Sequence, residues 1–94
     1  MGNADVDFVE MIVKAIATFP EDVHVERKVD ERGVLLTLSA NKQDAGKIIG
    51  KGGQTIIAIR ILLRIIGSKM NAKIGLRMHD SLVFSNKINE EITG

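Results

Sequence analysis

The chain has no cysteine, no tryptophan, no tyrosine and a single proline among its 94 residues. Without cysteine it forms neither a disulfide nor a thiolate metal site, and the cytosol is the expected compartment. Phe8, Phe19 and Phe84 are its only aromatic side chains, 3% of the total. That excludes the aromatic platforms on which many sheet and barrel surfaces stack bases. The start, Met1-Gly2-Asn3-Ala4-Asp5, is acidic rather than basic, so no secretory signal is expected there. Val6 stands where a myristoylation pattern needs Ser or Thr. The longest apolar run, 56–66, is interrupted by Arg60 and Arg64 and is too short for a bilayer, so no membrane contact is expected.

Catalytic constellations are missing too. His24 and His79 are far apart in sequence, with no carboxylate pattern beside them. Ser39, Ser68, Ser81 and Ser85 sit in no nucleophile motif. No cluster has the spacing of metal ligands. The expectation is a protein that is not an enzyme and that uses no cofactor and no metal.

Charge of one sign is scarce over a long stretch. Net charge is only +1. Residues 1–40 hold eight acidic and four basic side chains, whereas 41–78 hold eight basic ones against Asp44 alone. Residues 79–94 turn acidic again, with Lys87 against Asp80, Glu90 and Glu91. A solvated helix face produces such a bias, and so does a surface that faces phosphates.

At the centre of the basic stretch stands Ile48-Ile49-Gly50-Lys51-Gly52-Gly53-Gln54-Thr55-Ile56. Only the Lys51 side chain stands between this loop's backbone and a ligand. The loop opens an apolar helix, whose first amides and dipole favour an anion. A nucleotide P-loop needs four residues between its glycines and a hydroxyl after the lysine. Here Gly46 and Gly50 are one residue too close, and Gly52 follows Lys51. A dinucleotide fingerprint fails at Thr55, where the third glycine belongs. Both motifs also need a preceding strand, whereas 43–49 reads as a short helix. Helix–GxxG–helix remains, a loop that clamps about four nucleotides of a single strand. A plain helix C-cap followed by a tight turn has the same glycines.

The flanking elements follow from periodicity. Residues 5–19 read as an amphipathic helix with Phe8, Met11, Ile12, Ala15, Ile16 and Phe19 recurring, ended by Pro20. Val23, Val25, Arg27 and Val29 alternate as a half-buried strand. Asp30-Glu31-Arg32-Gly33 supplies a turn, and Val34, Leu36 and Leu38 share one face of a second strand, 34–40. Asn41 is an N-cap for a helix over 42–49, with Asp44 near its positive end. Gly46 inside that helix predicts a close contact there. A long helix over 54–66 ends at Gly67, and Ala72, Ile74, Leu76 and Met78 alternate as a third strand. Beyond it, Leu82-Val83-Phe84 has the apolarity to pack, and Ser85 caps a short helix bearing Ile88 and Ile92 if the tail is ordered.

The stretch Asp44-Ala-Gly-Lys-Ile-Ile-Gly-Lys-Gly-Gly-Gln-Thr-Ile-Ile-Ala-Ile-Arg-Ile-Leu-Leu resembles a KH domain, and specifically the small bacterial single-KH-domain proteins of the KhpA type. The element order αββααβ agrees with the bacterial, type II arrangement. The expected fold is an α+β sandwich with three helices on one face of a three-stranded mixed sheet. The expected division is a KH domain over 1–78 and a tail of unassigned role over 79–94.

The resemblance implies binding of single-stranded RNA and a part in post-transcriptional regulation or RNA chaperoning. In that reading the amides of Lys51, Gly52 and Gly53 approach phosphates after the turn at Gly50. Gln54 opens the following helix, Lys47 and Arg60 flank the groove, and Ile49 and Ile56 lie on its floor. Lys47 and Arg60 are equally readable as solvated charges, and Ile49 and Ile56 as core.

The long helix carries more apolar surface than one sheet covers. Ile56, Ile57, Ala58, Ile59, Ile61, Leu62, Leu63, Ile65 and Ile66 take up most of its circumference. Ile57, Ile61 and Ile65 form one outward row suited to a second chain. The resemblance implies the same, a homodimer or a pairing with a larger KH-containing protein. Burial under the first helix and the tail is the alternative. A different class of function, a protein-interaction module built on this helix with RNA incidental, stays open.

Overall fold

The computed structural model describes residues 3–79. The expectations for Leu82-Val83-Phe84 and the helix from Ser85 lie outside them. Helix α1 (Ala4–Ile16) leads into strand β1 (His24–Asp30) and strand β2 (Gly33–Ser39). A short helix α2 (Ala45–Ile49), a long helix α3 (Gln54–Lys69) and strand β3 (Ile74–Met78) complete the αββααβ order. The sheet order is β1-β2-β3, with β1 antiparallel to β2 and β2 parallel to β3.

Registration follows from the apolar faces. Arg27 pairs with Leu36 and Leu36 with Leu76, so Val34, Leu36, Leu38, Leu76 and Met78 all point into one core. Val9 and Val13 of α1, Ile48 of α2, and Ile56, Ile59 and Leu63 of α3 fill its other side. Leu35, one residue out of phase, points to the open face and is partly exposed. The resulting layer of helices over one mixed sheet is the expected α+β sandwich.

Several local expectations are corrected. The core row of α1 is Asp5, Val9 and Val13, not the row through Met11, which is 62% exposed. The helix stops at Ile16 because Thr18 and Phe19 turn their amides onto the distant Asp44 carboxylate, at 2.9 and 3.0 Å. Pro20 opens a 3-10 turn instead of ending the helix. Val29 keeps the strand alternation yet stands 64% exposed near the end of β1. The 42–49 helix divides into a 3-10 turn, Lys42–Asp44, and α2. Asn41 does cap it, accepting the Gln43 amide at 2.9 Å.

Gly46 makes no close contact: a Cβ there would meet nothing within 4 Å. The close approach is at Gly67, where a Cβ would fall 2.5 Å from the Ala72 carbonyl oxygen. Gly67 therefore does not end α3. It lets the helix run on to Lys69 while the chain folds back beneath it, and β3 starts at Ile74 instead of Ala72.

Candidate nucleic-acid interface

The loop after α2 takes its shape from the way that helix stops. The Gly50 amide closes α2 by donating to the Gly46 carbonyl at 2.8 Å. Gly50 then adopts φ 79° and ψ 168°, backbone angles that favour glycine. A Cβ there would also sit 2.3 Å from Thr55 Oγ1, so the loop lies directly on the first turn of α3. Lys51–Gly53 form one 3-10 turn, with Gly52 and Gly53 also at positive φ, 64° and 79°. The Gly53 amide donates to the Gly50 carbonyl at 3.0 Å, and the Gln54 amide to the Lys51 carbonyl.

Two amides are left over. Those of Lys51 and Gly52 donate to no acceptor among the described residues, and both residues are exposed. Two unpaired N–H groups and one exposed lysine thus sit in the loop that leads into the positive end of a 16-residue helix. The arrangement suits an oxyanion such as a phosphodiester. The Gly53 amide is already engaged inside the loop.

The other candidates disperse around this centre. Gln54 is exposed at the first turn of α3, Ile49 is partly buried beside the loop, and Ile56 is core at 6% exposure. Arg60 leans across to β3, where its Nε donates to the Leu76 carbonyl at 3.2 Å. The Lys47 ammonium donates to the Thr18 hydroxyl, which draws it towards the end of α1. Ile57, Ile61 and Ile65 are 49%, 47% and 62% exposed, and Leu62 beside them 45%.

Asp44 is the residue whose part sequence reasoning missed. It is fully buried, six residues before Gly50, and holds the Thr18 and Phe19 amides. Burial works against its charge. The hydrogen bonds from Phe19 and Thr18, and then nearby Lys47, outweigh that and hold its pKa below the ordinary carboxylate value. Asp44 thereby fixes α2, and with it the start of the loop, to the end of α1. A contact across more than twenty residues leaves no local mark in the sequence.

Among the described residues no three His, Asp or Glu side chains gather as metal ligands, and no helix is long and apolar enough to cross a membrane. No solved structure matches the chain. The family described as "KhpA/KhpB, KH domain" matches residues 6–78. A protein of Chlamydia caviae named RNA-binding protein KhpA is 40% identical over 72 residues, covering 77% of this chain and 92% of that relative. Proteins of the same name from Clostridium perfringens and Mycobacterium tuberculosis are 38% and 39% identical. They match over 72% and 73% of this chain, and 91% and 86% of their own lengths. With its αββααβ sandwich and its helix–GxxG–helix loop, this chain belongs to the KhpA/KhpB KH-domain family.

Proposed function

We propose that the chain binds single-stranded RNA, with the Gly50-Lys51-Gly52-Gly53 loop clamping the phosphate backbone. The observation that carries this is the pair of unpaired amides at Lys51 and Gly52, set beside an exposed ammonium at the start of α3. The relatives' name, RNA-binding protein KhpA, supports the same ligand. In this reading Gly53 and Gln54 shape the loop, Ile49 offers the bases an aliphatic surface, and Ile56 supports it from the core. Lys47 acts through the Asp44 knot. The chain works in the cytoplasm as a post-transcriptional regulator or RNA chaperone, its KH domain spanning 1–78 with a separate tail after it. It binds and does not catalyse.

Replacing Lys51 and Gly52 together by Asp tests the clamp. Gly52 is exposed and a Cβ there meets nothing within 4 Å. Its φ of 64° strains the loop locally, but Asp visits that region more readily than most residues and the core lies elsewhere, so the fold survives. Two carboxylates facing phosphate oxygens remove measurable RNA binding in a filter or anisotropy assay. A folded double variant with wild-type affinity refutes the assignment.

A second reading, assembly through α3, is favoured by the outward row of Ile57, Ile61 and Ile65 with Leu62. Four large aliphatic side chains, each 45% to 62% exposed, line one helix, and a second copy or a larger KH-containing protein would bury them. Ile61→Asp then turns dimers into monomers in sedimentation, and the monomer stays folded with a cooperative melt, lowered only by the stabilisation that association had given. A wild type that is monomeric at high concentration removes this reading and leaves the clamp intact.

A further inference from the structure

Arg60 marks the side of α3 that runs beside β3. Only one edge of β3 is paired, to β2, so the other edge is open among the described strands. Arg60 crosses to the Leu76 carbonyl at that edge. One and two turns further along the same helix row come Arg64 and Ser68. Arg64 and Ser68 line a shallow depression together with Ala72, Lys73 and Ile74, where β3 begins. Neither Arg64 nor Lys73 has an ion-pair partner among the described residues, and both are exposed. No Asp or Glu lines this depression, and none occurs in the sequence between Asp44 and Asp80. Asp30 and Glu31, at the turn before β2, line neighbouring depressions with Lys73 and form no ion pair with it.

We propose that Arg64 and Lys73 form a second phosphate-binding subsite, which extends the RNA footprint from the loop along α3 and the β3 edge. This rests on the loop being the clamp. Helix α3 has 16 residues and is about 24 Å long at ~1.5 Å per residue. Four stacked nucleotides at ~3.4 Å each cover about 14 Å of that length. The remaining 10 Å or so takes about three more nucleotides, which brings the strand to the depression that holds Arg64, Ser68 and Lys73. The ligand is a single strand of about seven nucleotides, recognised at its far end by charge on its phosphates.

The experiment uses the full chain and two labelled oligouridylates, of four and eight nucleotides, titrated at several salt concentrations. Wild type binds the longer strand with the steeper salt dependence. Two additional phosphates add about −1.4 to the slope of log K against log salt. A longer strand also offers more registers, which raises affinity without changing that slope. In Arg64→Glu/Lys73→Glu the slope for eight nucleotides falls to that for four, while four-nucleotide affinity stays at wild type. The altered charges lie about 15 Å from the loop, beyond the screening length of ~8 Å at physiological salt. Arg64→Gln/Lys73→Gln gives the same result if the charge-reversal variant misfolds.

A variant that keeps the length-dependent slope overturns the subsite. So does a variant that loses four-nucleotide binding, since those residues would then belong to the clamp itself. A wild type with equal slopes for both lengths overturns the subsite and spares the clamp. A wild type that binds neither strand overturns both.

Discussion

Helices α1 and α3 cover the same face of the sheet and are fastened to it by different means. A buried carboxylate holds each end of α1. Asp5 accepts Arg27 Nε at 3.1 Å near its start, and Asp44 takes the Thr18 and Phe19 amides just past its end. Among the described residues no buried carboxylate anchors α3, and its polar tie to the sheet is the bond from Arg60 to the Leu76 carbonyl. Its fixed side is aliphatic, Ile56, Ile59 and Leu63, with Gly67 pressed onto the turn before β3. Charge-assisted anchors fix a helix without asking anything of its outer side, and the exposed positions of α1 include Asp7 and Lys14. The outer side of α3 is aliphatic without being needed for its own docking. A surface kept apolar where the fold does not require it points to a second use.

If this contrast is right, the largest loss of stability comes from the fixed side of α3. Leu63 is fully buried, and Leu63→Ala costs about 3 kcal/mol through lost transfer energy and the cavity it leaves. Ile61→Ala, two residues earlier on the outward side, changes the stability of the dilute monomer by less than about 0.5 kcal/mol. Urea denaturation of both variants at low protein concentration checks the pair. Equal losses would mean that α3 is buried all round and that the contrast fails.

The next effect sharpens the account of α1. In Asp44→Asn the Thr18 and Phe19 amides lose a charged acceptor, and the melting temperature drops at neutral pH. The wild-type stability from Asp44 has a defined sign with pH. Its folded pKa lies below the unfolded value of ~3.9, so the contribution is complete above that value and is lost as pH falls through it towards the folded pKa. Wild type and Asp44→Asn melting temperatures therefore converge as pH falls from 6 to 3. Parallel curves over that range would show that the carboxylate's charge does not hold α1.

Periodicity and loop chemistry made much of this fold legible. Val34, Leu36 and Leu38 pointed to one core face, and the Gly50-Lys51-Gly52-Gly53 stretch between two helices specified both the turn and its exposure. Asn41 announced its own cap. What stayed hidden depended on distant partners. The row through Met11 is apolar enough to suggest a core face for α1, yet Asp5, Val9 and Val13 are buried because Arg27 offers Asp5 a partner on β1. Arg60 reads equally well from the sequence as a groove flank and as a solvated charge, and only its contact with Leu76 places it at the β3 edge. The loop was local chemistry, whereas the position of Arg60 depended on where β3 came to lie.

The smallest effect compares two helical glycines, Gly46 of α2 and Gly67 of α3. Gly46 lies in α2, and its φ is not positive. It has open space where a Cβ would stand. Alanine there removes backbone freedom from the unfolded chain without straining the folded one. Gly46→Ala should therefore stabilise the fold by about 0.5–1 kcal/mol, a shift of a few degrees in melting temperature. At Gly67 a Cβ would lie 2.5 Å from a backbone carbonyl and 3.2 Å from Ile74 Cγ1, so α3 would have to lift off β3. Gly67→Ala costs about 1–3 kcal/mol, as overpacking does. Opposite signs in the two melts would place the close approach on α3, the helix fastened by packing. If Gly46→Ala is destabilising instead, α2 meets something outside the described residues, and the loop it carries is held by more than Asp44.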